Sequence, residues 1–298
     1  MTSQPANLIN VLACPVCGEP LPEQPGDTDK RGAARRRCCS NNHSFDRARQ
    51  GYFNLLMVNQ KKSRNPGDNA DMVLARRRFL DGGFYQPIAD AINQAIGADL
   101  AARPATEKSF QIADNGCGEG YYTSVLHQHL LANQLQHQLY GIDISRDAVK
   151  TACQRTRDIE WLVGSGGKLP FMSRSLDMIF SVFTPVMAEK WSTLLKPGAS
   201  VWLILPAAEH LLELREHIYD EVQTDEYSPV AEMAAASFEF DQQQRMQARV
   251  DVPASAIPDL LTMTPHGWRI REDKRQQVTS LEGLNVTLAV NLYRFFAA

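Results

Sequence analysis

Asp114-Asn115-Gly116-Cys117-Gly118-Glu119-Gly120-Tyr121-Tyr122-Thr123 follows a short apolar stretch, residues 110–113, and leads into a helical pattern. An acid closes the stretch, three glycines stand on alternate positions, and a helix begins. Together they describe a strand, a tight turn and a helix start. Glycine serves where backbone turns sharply or must let a ligand come close. The spacing G-x-G-x-G differs from the G-x-G-x-x-G of dinucleotide loops. A bare strand-to-helix turn would also look like this, so the flanking pattern matters.

Outward from the loop, short apolar runs alternate with helical ones. Strands are expected at residues 110–113, 139–144, 160–163, 176–183 and 201–205, with Lys196-Pro197-Gly198 as the turn before the last. Helices are expected at about 121–136 and 146–157. This alternation predicts an α/β fold with a parallel sheet covered on both faces. Ligands of such sheets sit at the carboxyl ends of the strands, where the strand order reverses.

The glycine loop resembles the first motif of S-adenosylmethionine-dependent methyltransferases. That resemblance implies a Rossmann-like class I core with a seven-stranded, mostly parallel sheet. Gly116 and Gly118 then let backbone approach the methionine part of the cofactor, and Asp114 or Glu119 meets its ammonium group. Asp143, near the end of the second strand, accepts from the ribose hydroxyls, or else caps the next helix. Tyr122 and Thr123 open a helix whose first amides suit the cofactor carboxylate. The loop Ser165-Gly166-Gly167-Lys168-Leu169-Pro170-Phe171 makes Leu169 a further contact. Phe183-Thr184-Pro185 stands where amino-adenine methyltransferases carry an Asn- or Asp-Pro-Pro-aromatic motif, and its absence argues against an exocyclic amine target. His210, after the fifth strand, lies at the mouth of the site by topology. A surface histidine is the competing reading.

Ahead of the core, Cys14-Pro15-Val16-Cys17 and Cys39-Ser40-Asn41-Asn42-His43 give C-x-x-C and C-x-x-x-H. Two close pairs separated by a loop are the layout of a tetrahedral zinc site. Cys38 leaves the third ligand open on spacing alone, and a redox pair is the alternative. Residues 21–32 are rich in Pro, Gly and Asp and read as the loop between the knuckles. Fewer than about 60 residues rarely build a sufficient core without such a staple. Phe45 and Phe53, interleaved with Arg47 and Arg49, suit the packing of a small module or the stacking of bases. Asn65-Pro66-Gly67-Asp68 is a turn, with Asp68 or Asn69 capping a helix over 70–80 that stops at Gly82-Gly83. A second helix, about 85–96, precedes the first strand. In methyltransferases such a helix often closes over the cofactor, which makes Tyr85 a candidate contact.

The 298 residues are 44% hydrophobic and 22% charged, as in ordinary globular proteins. No apolar run nears the ~20 residues of a membrane span, and the start shows no basic-then-apolar leader. A cytoplasmic protein without membrane association is expected, with its six cysteines ligating metal or buried. The net charge of −3 conceals an asymmetry: from Lys30 to Arg78, thirteen Lys or Arg stand against three acids. Three clusters, Arg35-Arg36-Arg37, Lys61-Lys62-x-Arg64 and Arg76-Arg77-Arg78, suggest a polyanionic partner.

The combination C-x-x-C, C-x-x-x-H-x-F-D-x-A, G-Y-x-N-L-L, N-P-G-D, R-R-x-F-L-D-x-G and G-C-G-E-G-Y-Y-T is similar to the RlmA-type methyltransferases of bacterial large-subunit ribosomal RNA. The resemblance implies methyl transfer to N1 of a guanine in a hairpin loop of 23S rRNA. It implies Cys14, Cys17, Cys39 and His43 as zinc ligands, cofactor contacts at Tyr85, Tyr122, Thr123 and His210, and a homodimer. It divides the chain into an RNA-recognising zinc module (1–60), a helical connector (61–97) and a methyltransferase domain (98–298). The loop between the knuckles is longer than the family pattern, and Asn115 replaces a usual apolar residue. A small-molecule methyltransferase and a non-catalytic zinc RNA-binding protein are the rivals. Residues 223–257 read as a variable insertion, forming part of a target-binding wall.

Overall fold

The computed structural model describes residues 10–30, 32–60, 66–104 and 109–298. Arg31, the Lys61-Lys62-x-Arg64 cluster and Asn65 of the expected turn lie outside the described residues. Near the N-terminus, β1 (Arg36–Cys38) and β2 (Ser44–Asp46) pair antiparallel. β3 (Phe53–Asn54) leaves them for the edge of a larger sheet. α1 (Ala70–Asp81) begins at Asn69, whose side chain accepts from the Met72 amide at 3.1 Å, an N-cap bond. Gly82 and Gly83 end it, the latter at φ +79°. α2 (Gln86–Ala101) runs past its expected end at residue 96. A Cβ on Gly97 would lie 2.7 Å from the ring of His129, so glycine here allows close helix packing instead of ending the helix.

The core alternates as expected: β4 (Phe110–Asn115), α3 (Tyr121–Ala132), β5 (His137–Asp143), α4 (Arg146–Ala152), β6 (Glu160–Val163), β7 (Leu176–Val182), α5 (Ala188–Trp191) and β8 (Leu195–Pro206). α3 and α4 are shorter than the pattern suggested. Gln134 turns at φ +57° after α3, and the Trp161 indole donates to Thr156 O after α4. The chain continues through α6 (Leu212–Ile218), α7 (Val230–Ala235), β9 (Phe238–Pro253), α8 (Ile257–Met263), α9 (His266–Arg269), α10 (Glu272–Thr279) and β10 (Gly283–Ala297). Residues 223–257 are therefore not simply an insertion. They contain β9, which pairs with β10 along its whole length. Its polar, exposed outer face hides the strand pattern from sequence.

The eight strands lie in the order β3-β6-β5-β4-β7-β8-β10-β9. Pairs from β3 to β8 are parallel, and β10 runs antiparallel to both neighbours. Seven strands belong to the core, the number expected. The eighth, β3, comes from the N-terminal segment. β4 and β7 are buried along their whole length, as central parallel strands covered on both faces are. Ile112, Phe180 and Trp202 belong to one apolar cluster with Phe79, Ile88 and Leu260 of the surrounding helices. Ala113, Ile179 and Val201 share the other with Leu12, Leu21, Phe53 and Leu55 of the module.

The N-terminal segment thus covers one face of the sheet. Ala13 N donates to Pro170 O at 2.9 Å, Met172 N to Val11 O at 2.8 Å and Leu55 N to Val163 O at 2.9 Å. Arg47 pairs with Glu160 at 3.0 Å and stands 4.3 Å from the centre of the Phe53 ring. Of the nine described basic residues in the stretch, six are ion-paired within the chain. Arg76 pairs with Asp68, Arg77 with Asp81, Arg78 with Asp259, Arg36 with Asp46 and Arg37 with Glu23. The polyanion surface inferred from the arginine triplets is narrower than their count suggested. Among the described residues no helix is long and apolar enough to cross a membrane.

Two histidines lock the turn between α3 and β5. His137 Nδ1 lies 2.7 Å from Leu135 O and must carry the proton there. Its Nε2 therefore accepts from His127 Nδ1 at 2.8 Å. Burial pushes both below free imidazole. The unfolded chain takes up these protons first, so the pair's contribution is full above about pH 6.5 and is lost as pH falls through the folded values. His137→Gln should reduce the loss of stability between pH 7 and 5, read as the difference in urea midpoint between variant and wild type. An identical pH dependence would contradict this.

Candidate functional site

Cys14 and Cys39 each begin a tight knuckle. Gly18 N bonds back to Cys14 O at 2.8 Å with Gly18 at φ +81°, and Cys39 N donates to His43 O at 3.1 Å. The knuckles bring Cys14, Cys17, Cys39 and His43 together, with ligand atoms all within 4.8 Å of one another. Cys14 Sγ and Cys39 Sγ lie 3.6 and 3.4 Å from His43 Nδ1, and Cys17 Sγ lies 3.7 Å from Cys39 Sγ. Tetrahedral zinc with usual bond lengths has S···S edges of about 3.8 Å and S···N edges of about 3.6 Å. The donor set fits zinc in type and spacing. Cys38 is outside it, its thiol directed at Cys39 O. The Glu19 amide holds the Cys17 thiol down to about 6, which favours the ligating thiolate.

A cavity of about 1210 Å³ opens at the carboxyl ends of β4, β5, β7 and β8, where the strand order reverses. The glycine loop forms its floor. Gly116 N and Cys117 N both donate to Ile142 O, at 2.8 and 3.0 Å. Gly116 and Gly118 have φ of +84° and +57°. A Cβ on Gly116 would overlap the Thr184 side chain. A Cβ on Gly118 would meet nothing closer than Arg76 Nη1 at 3.7 Å, so this backbone is open to the cavity. Gly116→Ala adds both strain and overlap. It should destabilise the fold by about 2–4 kcal/mol and weaken cofactor binding; wild-type melting and binding would contradict the account.

Asp143 lines the cavity and fastens the loop. Its carboxylate accepts from Gly118 N at 2.9 Å and from Ser145 N at 2.7 Å. Burial raises its pKa, and these two amides oppose the rise. Glu119 is 1% exposed, lines the cavity and accepts from Arg155 Nε at 2.6 Å. Arg155 also reaches Asp81 at 2.9 Å, tying α1 to the loop. Glu119 Oε1 and the Tyr122 hydroxyl are buried in the wall without a partner among the described residues. Such orphaned polar atoms suit a polar ligand. Tyr85 and His210 form another part of the wall, with Tyr85 Oη 3.3 Å from His210 Nε2. Ala289 N donates to His210 Nδ1 at 3.3 Å, so the neutral ring carries its proton on Nε2. Burial holds His210 down to about 4, which keeps it neutral.

Three expected contacts stand elsewhere. Asp114 is behind the loop, accepting from Thr123 Oγ1 at 2.6 Å, and burial pushes its pKa up to about 7. Neither Asp114 nor Thr123 lines the cavity; Thr123 holds Asp114. Leu169 is buried in the apolar cluster it shares with the zinc module, because its loop is the one that bonds to residues 11–15. Asn115 is accommodated as well: its carbonyl accepts from Ser181 Oγ and Thr184 Oγ1. Sequence reasoning passed over several lining residues, among them Asp68, Arg76, Tyr219 and His266. For Asp68 and Arg76 the signal existed in the N-P-G-D turn and the arginine triplet. Tyr219 and His266, bonded at 2.9 Å, come from separate helical segments that no local pattern connects.

Comparison with known proteins agrees with both centres. A zinc-ribbon family described as RlmA, N-terminal, matches residues 12–64, and a methyltransferase domain family matches residues 112–201. The chain is 29% identical to the 23S rRNA (guanine(748)-N(1))-methyltransferase of Streptomyces fradiae, over 95% of this chain and 96% of that protein. It is 30% identical to a Micromonospora griseorubida protein named "Putative 23S rRNA (guanine-N(1)-)-methyltransferase", over 97% of this chain and 98% of that one. On that near full-length likeness, the chain belongs to the family of 23S rRNA (guanine-N1-)-methyltransferases.

Proposed function

We propose that this chain methylates N1 of a guanine in 23S ribosomal RNA, using S-adenosylmethionine and a structural zinc ion. The observation that carries the reading is the cavity at the sheet's switch point, floored by an open glycine loop that Asp143 fastens. Asp143 keeps lone pairs for the ribose hydroxyls. Gly118 leaves backbone accessible, and Glu119 Oε1 and the Tyr122 hydroxyl are polar atoms ready for the methionine end. The Tyr122 amide, in the first turn of α3 and on the cavity wall, suits its carboxylate. Tyr85 and His210 close the opposite wall. When bound, S-adenosylmethionine supplies an electrophilic methyl on a sulfonium whose departure is already favourable, so orientation provides much of the catalysis.

Guanine N1 loses a proton as it gains the methyl group. Of the acids lining the cavity, Asp68, Glu119 and Asp143 are held by Arg76, Arg155 and backbone amides. Glu221 and Asp225, on the outer wall, make no hydrogen bond or ion pair among the described residues. These two are the carboxylates free to take the proton. The zinc module, braced on the sheet, offers Lys30, Arg35 and Arg49 to RNA phosphates. The test is incubation with methyl-labelled cofactor and deproteinised 23S rRNA. Label should enter the RNA. Cofactor binding without transfer to RNA would overturn the reading in favour of a small-molecule substrate.

A further inference from the structure

The chain bends sharply where β7 ends, and the bend holds an aromatic ring in the cavity. Phe183 has φ +56°, a left-handed conformation that is costly for a bulky residue. Its neighbours enforce it. Phe183 N donates to Ile204 O at 2.9 Å, and Ser181 Oγ and Thr184 Oγ1 donate to Asn115 O at 3.0 and 3.2 Å. Thr184 packs against Gly116, so the ring is fixed relative to the glycine loop. Yet Phe183 is 37% exposed. His210 stands 5.3 Å away, tilted by 34°, and Tyr85 stands 6.4 Å away. Among the described residues, Phe183 and Tyr227 are the exposed large apolar side chains that line the cavity. A strained backbone and a displayed ring both work against stability, so core packing does not account for Phe183. Strain of this kind persists where function uses it.

We propose that Phe183 is the platform on which the target guanine stacks once it is turned out of the RNA into the cavity. This rests on the reading of the chain as a 23S rRNA methyltransferase. A base leaving its own stack loses contact on both faces, and enzymes that act on extruded bases replace it with aromatic or apolar surfaces. The Phe183 ring offers such a face at the switch point, one residue from Thr184 and hence beside the loop that meets the cofactor. Its position sets where the base edge lies and leaves the identity of that edge to the polar wall.

Four proteins test this: wild type, Phe183→Leu, Phe183→Tyr and Phe183→Gly. For each, kcat and KM with 23S rRNA, the affinity for S-adenosylhomocysteine by calorimetry and the melting temperature are measured. Phe183→Leu and Phe183→Gly should lower kcat/KM for RNA by about tenfold or more, the scale of one base–aromatic stack. Their affinity for S-adenosylhomocysteine should stay near wild type, and Phe183→Tyr should retain activity. Phe183→Gly should melt at or above wild type, because glycine relieves the positive φ; its loss of activity is then not a loss of fold. Wild-type kcat/KM in Phe183→Leu overturns the proposal. So does a parallel fall in S-adenosylhomocysteine affinity, which would give the ring to the cofactor, or a tyrosine variant as impaired as leucine. If wild-type protein itself transfers no methyl to 23S rRNA, the functional reading fails and the proposal falls with it. If wild type transfers and Phe183→Leu does so equally well, the stacking role alone fails.

Discussion

Cys39→Ser is expected to abolish zinc binding and to lower the melting temperature of the whole chain. Serine is a poor ligand for a site built from thiolates and imidazole. Structural zinc contributes about 10–16 kcal/mol to the folding of small modules, comparable with the ~5–15 kcal/mol net stability of a whole domain. Damage would not stop at the module, because Leu12, Leu21, Phe53 and Leu55 cover one face of the core sheet. Each such side chain contributes about 1.5–3 kcal/mol on burial. Metal analysis should find zinc in wild type and in Cys38→Ser, and none in Cys39→Ser. Calorimetry should show one transition in wild type, shifted down by about 10 °C or more in Cys39→Ser. A variant that keeps zinc, or loses it while melting as wild type does, contradicts the assignment.

Asp143→Ala should nearly eliminate cofactor binding. The carboxylate bonds Gly118 N and Ser145 N and retains acceptor capacity toward a ribose. Hydrogen bonds to a charged group contribute about 1.5–3 kcal/mol each, so losing two to the ribose weakens binding by roughly a hundredfold or more. The loosened glycine loop adds to the effect. Calorimetric titration with S-adenosylhomocysteine should show this loss, while zinc content remains as in wild type. Affinity within tenfold of wild type would mean that the ribose is held elsewhere.

The core's five leading strands and the glycine loop were legible because parallel strands buried on both faces read as apolar runs between helices. The zinc ligands were legible as two spaced pairs, and geometry removed the choice between Cys38 and Cys39. β9 was not legible: ten of its sixteen residues are exposed, most of them Gln, Arg, Asp or Glu, and its partner β10 is distant in sequence. The arginine triplets misled in part, since a charge run looks alike whether it meets RNA or acids of the same chain. Arg78 finds Asp259 only because α8 folds back beside α1. Leu169 was assigned by loop similarity, but its loop supports the module. Tyr85 and His210 line the same cavity and lie within hydrogen-bond distance of each other, a contact no local pattern shows.

Nucleoside analysis of 23S rRNA after incubation with protein and S-adenosylmethionine tests the central claim most directly. The account predicts 1-methylguanosine at a single site, where the blocked Watson–Crick edge stops reverse transcription, and its absence with Asp143→Ala. Methylation at another guanine atom or another base, or none in RNA from a protein that binds cofactor and zinc, would contradict it.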